Sequence, residues 1–380
     1  MINLTFAIVV LIRDRSKVLI VISITLFFLV LRFTVTLFNF ISNPKLTMVS
    51  RRYTDLVSIL IPARNEEENI LTLLTSIHHQ GGYENFEVIV YDDNSSDRTN
   101  EICTTFAAKH AKFSVIKGEE PPDGWIGKNY ACHQLAKRAN GKYLLFLDAD
   151  ERISDNLINN AVHRMHQYKL ALLSLSPNQG KVGFGPITTV PLVHFILLNL
   201  MPLRGVYLIK SPAIAAAFGQ FMLFDAVIYR QNQWHEQVKD ELAADHSIMK
   251  LVKSGKYNGE LLLPNGMIGC RTYKNYREAV SGLSKNFLAA FNYSIPGVLI
   301  YILMVIGGPM LVIITLNASL IFFMAGLILL TRIMISFSAG ESVVFNLITH
   351  PIQMINLVLI AFLSIHKQLT HGNVWKGRRV

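Results

Sequence analysis

The chain has 380 residues, 51% of them apolar and 16% charged, against about 45–50% and about 25% in soluble domains. With a mean hydropathy of +0.35, this balance excludes a disordered chain, a coiled coil and an ordinary soluble protein, and places the apolar excess in membrane segments. The net charge of 36 − 26 = +10 points to anionic head groups or phosphate-bearing substrates. The absence of a dense basic run with interleaved aromatics argues against nucleic acid.

Residues 1–50 read as a membrane anchor. From Val18 to Ile41 the chain is apolar apart from Arg32 and scattered Ser, Thr and Asn. That is long enough to cross a hydrocarbon core of about 30 Å, which takes about 20 helical residues. It is too long for the apolar core of a signal peptide and lacks a small-residue cleavage site. Arg32 near the centre predicts a tilted helix, or two shorter pieces, with the guanidinium snorkelling outward.

Residues 51–292 have the composition of a soluble domain. Val57–Pro62, Phe86–Asp92, Phe113–Ile116 and Tyr143–Leu147 read as strands, and Glu66–Gln80, Arg98–His110 and Lys128–Ala139 as the helices between them. This alternation predicts an α/β fold with a mostly parallel sheet and right-handed crossovers. Val190–Ile209 is apolar, but Pro191 and Pro202 break a regular spanning helix, which predicts an interfacial or re-entrant segment. Cys103, Cys132 and Cys270 lie far apart without CxxC spacing, so they form neither a disulfide framework nor a zinc site. That suits a reducing cytosolic face and buried packing roles.

Residues 293–366 hold the C-terminal membrane helices. Ile295–Leu316 and Val343–Ile365 are long enough to span, with Ala318–Thr331 a shorter piece between them. Lys45, Arg51 and Arg52 before the soluble region, and the basic tail 367–380 with Lys367, Lys376, Arg378 and Arg379, satisfy the positive-inside rule. A cytosolic tail requires an even number of C-terminal crossings, so Ala318–Thr331 is expected to be a half-span or interfacial. The chain is therefore expected to be a multi-pass protein of the cell membrane, with 51–292 facing the cytoplasm.

Ligands of an open parallel sheet bind beyond the carboxyl ends of its strands, and here those ends are polar. The first runs into Pro62-Ala63-Arg64-Asn65-Glu66, the second into Asp92-Asp93-Asn94-Ser95-Ser96-Asp97, and the strand ending at Leu147 into Asp148-Ala149-Asp150. Each alone also fits a turn or helix cap; three on one edge suggest a site. Asp148 and Asp150 repel each other unless a cation lies between them, and a divalent ion there could bridge a diphosphate. The Walker, GxGxxG, HExxH and GxSxG patterns are absent at the positions where they would carry function.

These segments resemble family 2 inverting glycosyltransferases of the GT-A fold. IPARNEEENI resembles that family's nucleotide-binding turn, VYDDNSSDRT its second-strand acidic motif and FLDADE its DxD motif. GWIGKNYACHQLA (124–136), AAAFGQFMLF (215–224), GLSKNF (282–287) and VWKGR (374–378) resemble the membrane-bound hopene-associated and carotenoid-acid glycosyltransferases within it. The resemblance implies a GT-A catalytic domain with N- and C-terminal transmembrane helices, a nucleotide-sugar donor and a lipid or isoprenoid acceptor. It implies that Pro62, Ala63, Arg64, Asn65 and Glu66 border the nucleotide and that Asp93 accepts a hydrogen bond from uracil. It also implies that Lys128 approaches the diphosphate, and that Asp148 and Asp150 serve a Mg²⁺ or Mn²⁺ ion, with Asp150 the direct ligand.

The family's catalytic base ends an acidic pair before a helix. Asp245 holds that position, although Ala244 replaces the preceding Glu, and Asp240 and Glu241 lie just upstream. The chemistry agrees, since an inverting transfer needs one carboxylate to deprotonate the acceptor and positive charge to stabilise the departing diphosphate. A processive polysaccharide synthase is the competing enzyme, disfavoured by the missing QxxRW. An inactive membrane scaffold of the same fold is disfavoured by the intact Asp93, DAD and Asp245.

Overall fold

The computed structural model describes residues 15–180, 183–270, 273–370, 374–375 and 378–379. The first fourteen residues of the expected 1–50 anchor, and Lys376 and Gly377 within VWKGR, lie outside the described residues. The chain divides into a sheet unit (residues 42–186, 203–278 and 368–380) and a helical unit (residues 1–41, 187–202 and 279–367).

The sheet unit is built on β1 (Val57–Ala63), β2 (Phe86–Asp92), β3 (Phe113–Lys117), β4 (Tyr143–Leu147), β6 (Leu172–Leu175), β8 (Phe221–Asp225) and β9 (Gly259–Leu262). They form one sheet in the order β3-β2-β1-β4-β8-β6-β9. β1 and β4 are buried along nearly their whole length, as continuous apolar strands must be when both sheet faces are covered. The helix Ile70–His79 buries Ile70, Leu73, Leu74 and Ile77, the one-face spacing that the sequence pattern predicts. The first four strands are mutually parallel. β8 enters antiparallel between β4 and β6, so its first residues lie at the same edge as the carboxyl end of β4. A small second sheet joins β5 (Glu151–Ile153), β10 (Ile268–Cys270) and β7 (Asn178–Gln179).

Two buried cations tie this unit together. Arg164 on the helix Leu157–Tyr168 makes paired 2.6 Å hydrogen bonds to Glu260 on β9. Lys253 donates to the carbonyls of Val206 and Ile209, binding the helix Ala244–Ser254 to the C-terminal end of the helix Leu203–Leu208. Burial, with Lys210 nearby, lowers the Lys253 pKa to about 8.

In the helical unit, Arg15–Ser42 is one continuous helix rather than two pieces. Arg32 within it does not snorkel: it is only 6% exposed and packs over the rings of Phe28, Phe195 and Tyr301. Gly308 is where the helix Gly308–Ile314 comes close to this one, because a Cβ there would sit 2.5 Å from Thr25 Cγ2; small residues let apolar helices approach in this way. Pro191 and Pro202 break the apolar stretch as expected, giving the helices Phe184–Thr189, Pro191–Leu200 and Leu203–Leu208. The expected interfacial segment 190–209 is not one element, since residues to 202 group with the helical unit and those from 203 with the sheet unit.

Among the described residues, four helices are long and apolar enough to cross a membrane: Leu19–Ser42, Ile295–Ile314, Ala318–Ala339 and His350–Leu369. The short piece expected at Ala318–Thr331 is in fact a 22-residue helix. Arg332, where the apolar run of the sequence ends, is buried inside the unit with 1% exposure, and the helix passes through it. Length therefore no longer singles out this stretch as a half-span. The last stretch breaks at Thr349, leaving Val343–Ile348 separate from His350–Leu369.

The Arg164–Glu260 pair yields a stability prediction. Glu260→Ala leaves a buried guanidinium unpaired and should destabilise the protein by about 3–5 kcal/mol, whereas Arg164→Met with Glu260→Leu should come near neutral. Thermal unfolding of both variants in detergent checks this, and equal losses in the two would overturn it.

Candidate active site

The parallel register brings the ends of β1, β2 and β4 to one edge, with Ala63 paired to Asp92 and Leu60 to Phe146. The turns after β1 and β2 interlock there. Backbone N–H groups of Asn65, Glu66 and Glu67 donate to the side chains of Ser95 (3.0 Å), Thr99 (2.7 Å) and Asp97 (3.1 Å). In return Ser96 N donates to Asn65 Oδ1 at 2.8 Å. Asn65 and Asn94 take left-handed conformations with φ of 52° and 49°, which Asn tolerates better than most residues. The helix predicted from Glu66 begins only at Ile70, after a turn in which Asn69 N and Ile70 N both donate to Glu66 O.

Within this pair of turns the acidic residues separate by role. Asp92 is buried and accepts from Asn100 Nδ2 (3.0 Å) and Ser95 N (3.3 Å), holding the turn. Asp93 is 2% exposed; its N–H donates to Ala63 O at 2.8 Å and its carboxylate lies 3.8 Å from Arg64 Nη1. Arg64 also donates to the carbonyls of Asp93 (2.5 Å) and Asn94 (3.3 Å). Pro62 and Ala63 close β1 beside this arrangement.

At the end of β4, Lys128 Nζ donates to Asp148 Oδ1 at 2.5 Å. Burial opposes the charge on Lys128, but the carboxylate of Asp148 and further negative potential, Asp245 included, raise its pKa on balance. Asp150 experiences the reverse. Burial, then the like charges of Asp148 and Glu66, push its pKa up to about 6 despite Lys128. The next residue, Glu151, is 1% exposed, and neither carboxylate oxygen has a hydrogen-bond partner. Burial, Asp150 and Asp148 raise its pKa well above the ordinary range. Sequence reasoning did not single out Glu151, although it directly follows the DAD element and the short strand β5 turns it inward.

Asp245 reaches the same edge from another element. It lies in the first turn of the helix Ala244–Ser254, not at its N-cap, which is Ala243. Its Oδ2 accepts from Gly219 N at 2.9 Å and its Oδ1 from His246 N at 2.9 Å. Gly219 and Gln220 begin the segment entering β8, and Asp148 N donates to Gln220 O at 3.3 Å. Ser174 braces this loop through both backbone groups of Phe218. One loop thus connects Asp245 to Asp148, a role for the AAAFGQFMLF segment that its sequence did not disclose. Asp240 and Glu241 are exposed. The backbone around them is held by Asn129, whose amide donates to the carbonyls of Val238, Lys239 and Glu241. Glu241 accepts from Ser247 Oγ at 2.9 Å.

Behind Lys128, His235 bonds Tyr229 at 2.7 Å. Burial, with Lys128 and His133 nearby, lowers its pKa to about 3 and keeps it neutral. Among the described residues no three His, Cys, Asp or Glu side chains are arranged to hold a metal by themselves.

Residues 58–229 match the family described as Glycosyl transferase family 2. The chain is 26% identical over 260 residues to a 4,4'-diaponeurosporenoate glycosyltransferase of Staphylococcus haemolyticus, covering 66% of this chain and 66% of that protein, just under two thirds of its length. It is 36% identical over 127 residues to a protein of the same description from Staphylococcus aureus, covering 32% of this chain and 31% of the relative. Its fold is similar to that of a mannosyltransferase from Pyrobaculum calidifontis in complex with GDP-Man and Mn²⁺. That similarity has a TM-score of 0.54 at 15% identity, over 92% of this chain and 99% of the other.

The Asp150 environment yields a pH prediction. An acid whose pKa is higher when folded favours the folded state while protonated, so stability falls as pH rises from about 4 to about 6 and stays lower above that. Asp150→Asn should therefore raise the melting temperature of the protein at pH 7, in EDTA and without nucleotide, and the gain should vanish by pH 4. A difference independent of pH would contradict this assignment.

Proposed function

We propose, starting from a chain that is a glycosyltransferase by its family 2 domain (residues 58–229), that it transfers a sugar from a nucleotide-sugar donor to a lipid-like acceptor with inversion. The donor is proposed to be a UDP-sugar and the acceptor a carotenoid acid or hopanoid. The observation that carries this reading is the convergence of Lys128, Asp148, Asp150 and Asp245 on the edge where the turns after β1 and β2 meet. The staphylococcal relatives support the choice of acceptor, and the four apolar helices support a membrane setting for it. The region 51–292 is assigned to the cytoplasmic side of the cell membrane, where nucleotide sugars are made.

In this mechanism Pro62, Ala63, Arg64, Asn65 and Glu66 border the nucleotide, and Asp93, braced by Arg64, accepts a hydrogen bond from the base. Asp245 takes the proton from the acceptor hydroxyl as its oxygen attacks the anomeric carbon. The bond from that carbon to the diphosphate oxygen breaks on the opposite face, and the nucleoside diphosphate leaves with the electron pair. Lys128 supplies positive charge beside the departing diphosphate. No covalent intermediate on the protein is required.

The carboxylates fit a divalent cation, Mg²⁺ or Mn²⁺. Asp150 would hold it with Asp148, because burial and like charge already make their joint ionisation unfavourable. Glu151, whose two carboxyl oxygens have no hydrogen-bond partner among the described residues, adjoins them, and a bound cation would favour its ionisation. Fewer than three protein ligands gather there among the described residues, which suits an ion whose coordination is completed by a diphosphate. When bound, the ion would neutralise charge developing on the leaving group.

Nucleotide release from a panel of nucleotide sugars, with membrane extract as acceptor, tests the reading, and release with none of them would refute it. Activity should disappear in excess EDTA and return with Mg²⁺ or Mn²⁺. Asp150→Asn should lose donor binding and turnover together.

Asp245→Asn separates the base from a structural role, because Asn preserves the side-chain acceptor that Gly219 N uses. The rate on a hydroxyl acceptor should fall roughly 10²–10⁴-fold, with donor affinity and melting temperature nearly unchanged. On a carboxylic acid acceptor, already ionised at neutral pH, the loss should be smaller. Near wild-type turnover on a hydroxyl acceptor would remove Asp245 from the mechanism.

A further inference from the structure

The helical unit contains buried charge that the sugar-transfer chemistry does not use. Arg332 is 1% exposed and Arg32 6% exposed. The two guanidinium groups share one aromatic ring, with Arg332 Cζ 4.8 Å and Arg32 Cζ 5.1 Å from the centroid of Phe195. Arg32 also lies over Phe28 at 5.7 Å and Tyr301 at 5.8 Å. Cation–π contact offsets part of the cost of removing a guanidinium from water, but it uses the face of the group and not its N–H donors. Nε, Nη1 and Nη2 of Arg332 and Nε of Arg32 are all buried without a hydrogen-bond partner among the described residues. The hydroxyls of Tyr301 and Thr331 and Nδ1 of His350 are in the same condition, and Arg32 and Arg332 are within electrostatic reach of each other and of Tyr301 and His350.

Glu341, the acid whose charge reaches Arg332, does not satisfy these donors. Glu341 feels Arg332 electrostatically, but its carboxylate is engaged by His194 at 3.0 Å and by Asn346 at 2.7 Å. Counting the described residues, with Arg32 and Arg332 at +1 each and Glu341 at −1, the cluster carries 2 − 1 = +1 before any proton on His194 or His350. Buried charge of this kind is ordinarily paired, and the missing partner must bring one negative charge and several acceptor oxygens. Guanidinium forks match planar or tetrahedral oxyanions. The surrounding helices present large apolar side chains outward, among them Phe322 at 77%, Phe323 at 51% and Leu299 at 55% exposure. A ligand arriving through such surroundings carries an apolar tail.

We infer that Arg32 and Arg332, around the ring of Phe195, form a binding site for the singly charged oxyanion head group of a lipid, a carboxylate or a phosphodiester. The site lies wholly within the helical unit and does not depend on the sugar-transfer reading, since its occupancy is measured without donor or turnover.

The full chain, purified in a neutral detergent, is titrated with two matched pairs of amphiphiles, and affinity is read from the rise in melting temperature. Oleate against oleyl alcohol tests a carboxylate; phosphatidylglycerol against diacylglycerol tests a phosphate. At least one charged member should bind tenfold or more tightly than its neutral match. A preference in one pair identifies the head group, and a preference in both identifies the shared oxyanion chemistry. Arg332→Gln should bring the ratio close to one. If that variant does not fold, Arg332→Lys, which keeps the charge but loses the fork, should reduce the ratio several-fold. Equal binding of the charged and neutral members of both pairs by the wild type would overturn the proposal and leave water as the partner of these donors. So would a preference that survives the arginine substitutions.

Discussion

The site depends on crowded negative charge at the end of β4. Asp148, Asp150 and Glu151 follow one another within four residues, and the fold removes water from all three to different degrees. Asp148 faces Lys128, its 2.5 Å partner. Asp150 and Glu151 have no such ion-pair partner among the described residues, and burial and mutual repulsion raise their pKa values. Such an arrangement is costly in the absence of a ligand and becomes favourable when positive charge arrives. Much of the surrounding structure supports this edge. The helix Gly127–Arg138 carries Lys128, the loop ahead of β8 links Asp148 to Asp245, and the interlocked turns after β1 and β2 form the other wall.

That wall shows how polar side chains can build a rigid surface. Ser95, Asp97 and Thr99 accept from consecutive backbone N–H groups of the first turn, and Asn65 accepts from Ser96 in return. Turns whose donors and acceptors are paired in this way resist displacement, because moving one breaks several hydrogen bonds at once. Asp92 serves this purpose, while its neighbour Asp93 is set against Arg64. Adjacent, chemically identical side chains thus take a structural and a site-facing position according to the alternation of a strand end.

The helical unit follows the same logic in apolar surroundings. Thr36 and Asn39 donate to the free carbonyls at the end of the helix Pro191–Leu200, and Gln353 and Asn356 donate to the carbonyls of Ile187 and Thr188. Polar side chains on long apolar helices therefore satisfy the backbone of a proline-broken segment that could not satisfy itself. Arg32 and Arg332 are the exceptions, held by aromatic faces rather than by acceptors.

Local pattern alone determined much of this protein. Continuous apolar strands bounded by Asp, Asn and Gly defined β1, β2 and β4 to within a residue, because a strand buried on both faces admits few alternatives. The acidic strand ends, and their gathering on one edge, followed from parallel order. Tertiary structure decided what depends on partners distant in sequence. The chain after β1 turns before its helix starts, held by side chains about thirty residues away. Glu151 adjoins the candidate site because β10 pairs with β5, and Asp245 reaches Asp148 through the antiparallel entry of β8. Arg332 lies inside a helix instead of ending one because Phe195, more than a hundred residues earlier, covers it. Hydropathy scores a charge by its cost in lipid, but whether that charge terminates a helix or is buried within it is set by the groups that fold against it.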